Sequence, residues 1–172
     1  INIFTYSIKN DEDNTYKALL KSYELTKQKY FIGIVTLPLN KEKIIKKINS
    51  KFIGQTELFQ QLDKKNYSNM LFVKNNLKVI SLTTHISLKN VIKQLSKKDF
   101  YYNKINSLYK SLRIDFNINS PKIAIAGINP HAGENNTIGN DETKLILPSI
   151  IKLAKNNIII YGPFSADSLI TT

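Results

Sequence analysis

The sequence predicts an α/β fold in which helices flank a mixed sheet. Short apolar runs alternate along the chain with segments of helical periodicity, which is typical of a sheet covered by helices. The pair Asn75-Asn76 between two apolar runs favours a tight hairpin turn, which adds antiparallel strands to the sheet. Because 42% of the 172 residues are hydrophobic, we expect one α/β region over residues 1–172 with a sizeable core.

The N-terminal part of the chain predicts three helices and one strand. Residues 11–29 place apolar side chains at helical spacing among charged ones, and residues 41–48 form a second helical segment. The run "FIGIVT" (31–36) between them is short and apolar, which indicates a buried strand. A third, short helix is expected over 56–62, with Thr56 as its N-cap.

The remainder of the chain predicts four strands and three helices. Residues 69–85 form two strands around the hairpin turn. Two helices then follow along the chain, over 88–96 and 99–114. The strand "KIAIAGI" (122–128), a helix over 142–155 and the strand "NIIIY" (157–161) complete the alternation.

The composition narrows the classes of function. The net charge of +12 attracts phosphate backbones, but Arg113 is the only arginine and no nucleic-acid-binding module is recognisable, so we expect a solvated lysine-rich surface and no nucleic-acid partner. Without cysteine, a metal site has to use His, Asp or Glu. No apolar run approaches the ~20 residues of a membrane span and no secretory signal opens the chain, so a cytoplasmic protein without a membrane partner is predicted.

The two histidines, His85 and His131, are the candidate metal ligands. Each follows a predicted strand, and ligands of open α/β sheets bind at the carboxyl edge of the strands. Either histidine alone is more often structural, but two at one edge favour a site for Zn²⁺ or a related divalent ion. A third ligand then comes from Asp, Glu, water, another segment or another subunit. Asn129 and Glu134 are candidates to cap or orient the loop backbone, or alternatively to form a hydrogen bond that supports His131 as a ligand.

Four motifs resemble the 4-hydroxythreonine-4-phosphate dehydrogenase family of vitamin B6 biosynthesis. They occur in the family's order and at its approximate spacing: "GQTELF" (54–59), "TTHISL" (83–88), "GINPHAGENNTIGNDE" (127–142) and "GPFSADSL" (162–169). The resemblance implies the isocitrate and isopropylmalate dehydrogenase type of architecture. Because family members are considerably longer, we expect this chain to be the middle of a two-domain dehydrogenase.

The resemblance also implies roles for individual residues. His85 and His131 match two of the family's three metal-binding histidines, and the family's site lies at a homodimer interface. Gln55 and Thr56 match a His-Thr pair that binds substrate, with Gln55 departing from the family residue, and Asp167 matches an acidic catalytic residue. A second departure is Leu37, which stands where the family has a glycine.

The implied activity is an oxidative decarboxylation of 4-phosphooxy-L-threonine. NAD and a divalent metal (Zn, Co or Mg) are the implied cofactors, and the product is 3-amino-2-oxopropyl phosphate. The alternative is a non-catalytic remnant that binds metal or phosphorylated ligands.

Overall fold

A computed structural model describes residues 12–132, 137 and 139–169 of the chain. The chain divides into two compact units, Ile1–Ser68 and Asn69–Thr172. The chain contains both helices and strands, as the α/β prediction requires. That residues 1–172 form one α/β region stays a prediction. Within the described ranges, no helix combines the length and apolar character needed to cross a membrane.

The first unit consists of three helices in its described part. They are α1 (Glu12–Lys27), α2 (Lys41–Lys47) and α3 (Gln55–Leu62). Their apolar faces meet in one small core formed by Leu19, Ile44, Phe52 and Leu58. Asn40 caps α2, since its side chain accepts a hydrogen bond from the Lys43 amide at 3.1 Å.

Two sequence-based predictions for this unit are wrong. Residues 31–36 form no strand, and Ile32 and Val35 are fully exposed. A strand requires a neighbouring backbone for its hydrogen bonds, and no strand of the described part of this unit supplies one. Thr56 is not the N-cap of α3, because the helix begins one residue earlier and Gly54 occupies the cap position.

The second unit contains two separate two-stranded sheets among its described residues. Strands β1 (Leu71–Lys74) and β2 (Leu77–Ile80) form the predicted hairpin, and Asn75 adopts the left-handed conformation in the turn. Strands β3 (Lys122–Ala126) and β4 (Ile159–Phe164) pair in parallel. The expected single mixed sheet is therefore not observed in the described ranges, because each strand pairs only with its own partner.

Helices precede and connect the strands of the β3–β4 pair. The helices α4 (Leu88–Leu95) and α5 (Phe100–Ile114) precede β3, and α6 (Leu147–Lys155) connects β3 to β4. A π-helical turn, Glu142–Ile146, leads into α6, and Pro148 follows it. Since proline has no N–H to donate, the regular α-helical hydrogen bond is lost at this point. Ile105, Ile146 and Leu153 are almost completely buried in this unit.

Candidate functional site

The loop that leaves β3 carries His131 and begins in close contact with β4. The amide of Gly127 donates to the carbonyl of Phe164 at 2.7 Å, which continues the parallel pairing one residue beyond β3. The amide of Ala166 donates to the carbonyl of Pro130 at 2.9 Å. The loop after β3 and the short helix α7 (Ala166–Leu169) are therefore joined directly by their backbones.

This junction brings together two residues that the sequence placed in separate motifs, His131 and Asp167. The imidazole Nδ1 of His131 lies 3.7 Å from the carboxylate Oδ2 of Asp167. Both side chains are about half exposed, 56% and 54%, so their attraction is weakened by water and salt. The sequence did contain a signal for this contact, because both residues follow strands that pair in parallel and whose carboxyl ends meet at one edge.

Backbone amides donate hydrogen bonds that position the Asp167 carboxylate and the backbone of His131. The amide of Ser168 donates to Asp167 Oδ1 at 2.7 Å, while Oδ2 of the same carboxylate faces His131. On the other side, the amide of His131 donates to Asn129 Oδ1 at 2.9 Å. Asn129 therefore orients the loop backbone at His131, which is one of the two roles that the sequence suggested for it. The companion candidate, Glu134, lies outside the described residues.

Glu142 is a further component of the site region that sequence reasoning did not single out. The residue is only 4% exposed, and its Oε1 accepts a hydrogen bond from the Ile128 amide at 2.9 Å. Burial, and secondly the negative charge of Glu142, raise the pKa of Tyr101, so that this phenol stays neutral. The available signal was its position, because Glu142 is both the last residue of the motif over 127–142 and the first residue of the helical turn that follows.

His85 lies on an exposed segment after the hairpin. It follows β2 by five residues and adopts a positive φ of 56°. Because β2 pairs with β1 and β3 pairs with β4, His85 and His131 do not follow strands of one sheet in the described structure. The expectation of one shared sheet edge is wrong for this reason, while the spatial approach of the two imidazoles stays a prediction.

The chemistry of the donors fits a divalent metal, but their number falls short. Imidazole nitrogen and carboxylate oxygen are ordinary ligands of Zn²⁺ and Co²⁺. Residues 12–132, 137 and 139–169 contain no group of three or more His, Cys, Asp or Glu side chains placed to hold an ion.

Gln55 and Thr56, the candidate substrate-binding pair, lie in the first turn of α3 in the first unit. The side chain of Gln55 is engaged by its own unit. Its Oε1 accepts from Thr36 Oγ1 at 2.7 Å, and its Nε2 donates to the Leu37 carbonyl at 3.1 Å. Gln55 and Leu37, the two residues that depart from the family pattern, are therefore hydrogen-bonded to each other.

Comparison with known proteins decides the family. Residues 6–172 match the model of the family described as pyridoxal phosphate biosynthetic protein PdxA. The chain belongs to the PdxA family. This agrees with the resemblance carried by the four motifs.

Individual relatives support the same assignment. The chain is 35% identical over 156 residues to a 4-hydroxythreonine-4-phosphate dehydrogenase of Bacteroides thetaiotaomicron, covering 88% of this chain and 42% of the relative. It is 36% identical over 155 residues to a putative D-threonate 4-phosphate dehydrogenase of Oceanobacillus iheyensis, covering 90% and 46%. The chain therefore spans less than half the length of these curated relatives.

The solved structures lead to the same family. The crystal structure of the 4-hydroxythreonine-4-phosphate dehydrogenase from Klebsiella pneumoniae matches with a TM-score of 0.84 at 30% identity, covering 92% of this chain and 47% of that one. The fold described above is therefore that of the corresponding part of a PdxA-family dehydrogenase.

Proposed function

We propose that this chain is part of a 4-hydroxythreonine-4-phosphate dehydrogenase, which converts 4-phosphooxy-L-threonine to 3-amino-2-oxopropyl phosphate with NAD⁺ as the oxidant. Membership of the PdxA family carries the proposal. The contact between His131 and Asp167 at the carboxyl ends of β3 and β4 supports it, since ligands bind at that edge of an α/β sheet. The proposal includes the isocitrate and isopropylmalate dehydrogenase type of architecture and a homodimer with the site at its interface.

The reaction sets the chemical demands on the site. Oxidation removes the proton of the secondary hydroxyl and transfers a hydride to NAD⁺, which gives a β-keto acid and NADH. The keto acid then loses carbon dioxide, and a proton replaces it on the carbon. Both steps place negative charge on the same substrate oxygen, so groups near that oxygen can assist twice.

His131 and His85 are the residues proposed to hold a metal. A metal-binding imidazole commonly directs its second nitrogen to a carboxylate, and Nδ1 of His131 faces Asp167. This arrangement leaves Nε2 of His131 as the nitrogen for the metal and gives Asp167 the role of orienting the ring. A divalent ion (Zn, Co or Mg) would supply positive charge that lowers the pKa of the substrate hydroxyl and stabilises the oxygen after oxidation. The third ligand is proposed to lie beyond the described residues.

Gln55 and Thr56 are proposed to contact the substrate. A glutamine donates and accepts hydrogen bonds but does not titrate near neutral pH, so Gln55 would bind without transferring protons. The net charge of +12 suits a substrate that carries phosphate and carboxylate groups.

The test is NADH formation by the protein in the longest form that its gene encodes, with Zn²⁺, Co²⁺ or Mg²⁺ added. 4-Phosphooxy-L-threonine and D-threonate 4-phosphate serve as separate substrates, because relatives of both names resemble the chain at similar identity. We expect turnover of the first substrate, abolished by His131→Ala and retained by the surface variant Lys97→Ala.

Each other outcome of this assay has a definite meaning. Preferential oxidation of D-threonate 4-phosphate would overturn the substrate assignment while keeping the dehydrogenase. A folded protein that binds metal but forms no NADH with either substrate would establish the non-catalytic alternative.

A further inference from the structure

We propose that Glu142 is a positioning residue that fixes the loop carrying His131. The inference rests on the proposed function in one respect, namely that His131 binds a metal. The hydrogen bonds of Glu142 reach Ile128 and Asn129, so it acts through the backbone between β3 and the histidine.

The burial of Glu142 is the first argument. Carboxylates are almost never fully buried without partners, because removal from water costs several kcal/mol. Glu142 is 4% exposed, and its Oε2 is buried with no hydrogen-bond partner among the described residues. A glutamate at this position therefore has to make contacts that offset its desolvation.

The contacts of Oε1 converge on the start of the loop. This oxygen accepts from the Ile128 amide at 2.9 Å and has the Asn129 amide and the Asn129 side-chain nitrogen at 3.5 Å each. Asn129 in turn accepts from the His131 amide at 2.9 Å. Two hydrogen-bonded steps thus connect the buried carboxylate to the backbone of the proposed ligand.

The packing at Gly127 is independent of these hydrogen bonds and leads to the same residues. A Cβ at Gly127 would lie 2.8 Å from Ala132 and 3.2 Å from Glu142 Oε1. Because Gly127 has no side chain, both the Glu142 carboxylate and Ala132 of the loop can pack closely against its backbone. His131 lies between these anchored residues, so a shift of the carboxylate moves the histidine.

The experiment uses the fact that the chain has only two histidines. Imidazole ring signals in NMR spectra, assigned with His131→Ala, report His131 and His85 separately, and Co²⁺ titration reports metal affinity. The variants are Glu142→Ala, Glu142→Gln, which keeps an acceptor at Oε1, and Glu142→Asp, which keeps the charge but is one methylene shorter. Asp141→Ala is the matched control, since it removes one exposed negative charge from the neighbouring position.

We expect Glu142→Ala to shift the His131 ring signals, to leave those of His85 in place, and to weaken Co²⁺ binding by roughly tenfold or more. Glu142→Gln should resemble the wild type and Glu142→Asp should resemble the alanine variant, because reach to the Ile128 amide is the property required. Asp141→Ala should match the wild type in all readouts. If Glu142→Ala does not fold, the difference in His131 ring signals and Co²⁺ affinity between Glu142→Gln and Glu142→Asp tests the proposal instead.

Three outcomes would overturn the proposal. They are unchanged His131 signals in Glu142→Ala, equal changes at both histidines, and a Gln variant as defective as the alanine one. Absence of any Co²⁺ effect at His131 in the wild type would instead refute the metal-binding part of the proposed function. The ring signals without metal would still decide the role of Glu142.

Discussion

Replacing Gly127 by alanine tests the close packing beneath the His131 loop. The added Cβ would lie 2.8 Å from both Cα and Cβ of Ala132, whereas carbon atoms in contact normally lie about 3.5–4.0 Å apart. Ala132 would have to retreat by roughly 0.7–1.2 Å. Overpacking of this kind costs about 1–3 kcal/mol of the free energy of unfolding. For a chain of 172 residues this corresponds to a decrease in Tm of roughly 2–12 °C.

Thermal unfolding followed by circular dichroism measures this effect, with Gly139→Ala as the control. Among the described residues, a Cβ at Gly139 would meet Asp141 Oδ2 at an ordinary distance of 3.7 Å, so we expect a change within about 0.5 kcal/mol. The displaced Ala132 should also move the ring signals of its neighbour His131. Equal Tm values for Gly127→Ala, Gly139→Ala and the wild type would refute the packing argument.

Three further predictions concern the core, acid stability and charge. Leu153→Ala, at a fully buried position, should lower the free energy of unfolding by about 2–5 kcal/mol in urea titrations, whereas Leu88→Ala, at an exposed one, should leave it nearly unchanged. The hydrogen bond from Lys27 lowers the pKa of Asp63 in the folded protein, so the stabilisation by this carboxylate is present above its unfolded pKa and is lost as the pH falls through its folded pKa. Asp63→Asn should therefore flatten the pH dependence of the free energy of unfolding between roughly pH 5 and pH 2. An unchanged slope would contradict this. Duplex DNA should bind weakly and dissociate at moderate salt, and a salt-resistant gel shift would revive the nucleic-acid alternative.

The sequence predicted best those elements whose residues interact locally. Helix α1 and the hairpin turn at Asn75 are found close to their expected positions. Each depends on periodicity or turn chemistry within about 20 residues of chain. The segment 31–36 failed because an apolar run becomes a strand only when another strand pairs with it, and pairing is not encoded in the run itself.

By itself, the sequence determined the family and the candidate site residues, since the candidate metal ligands His85 and His131 and the candidate catalytic residue Asp167 lie in motifs that are specific as strings of residues. The tertiary structure decided which of them meet. In the folded chain, His131 lies beside Asp167, and the strands β2 and β3 belong to different sheets. The Glu142 carboxylate accepts a hydrogen bond from the start of the His131 loop. The physical reason is that hydrogen bonds and ion pairs act over a few ångströms in space, and residues 14 or 36 positions apart reach that distance only after strand pairing and helix packing have folded the chain between them.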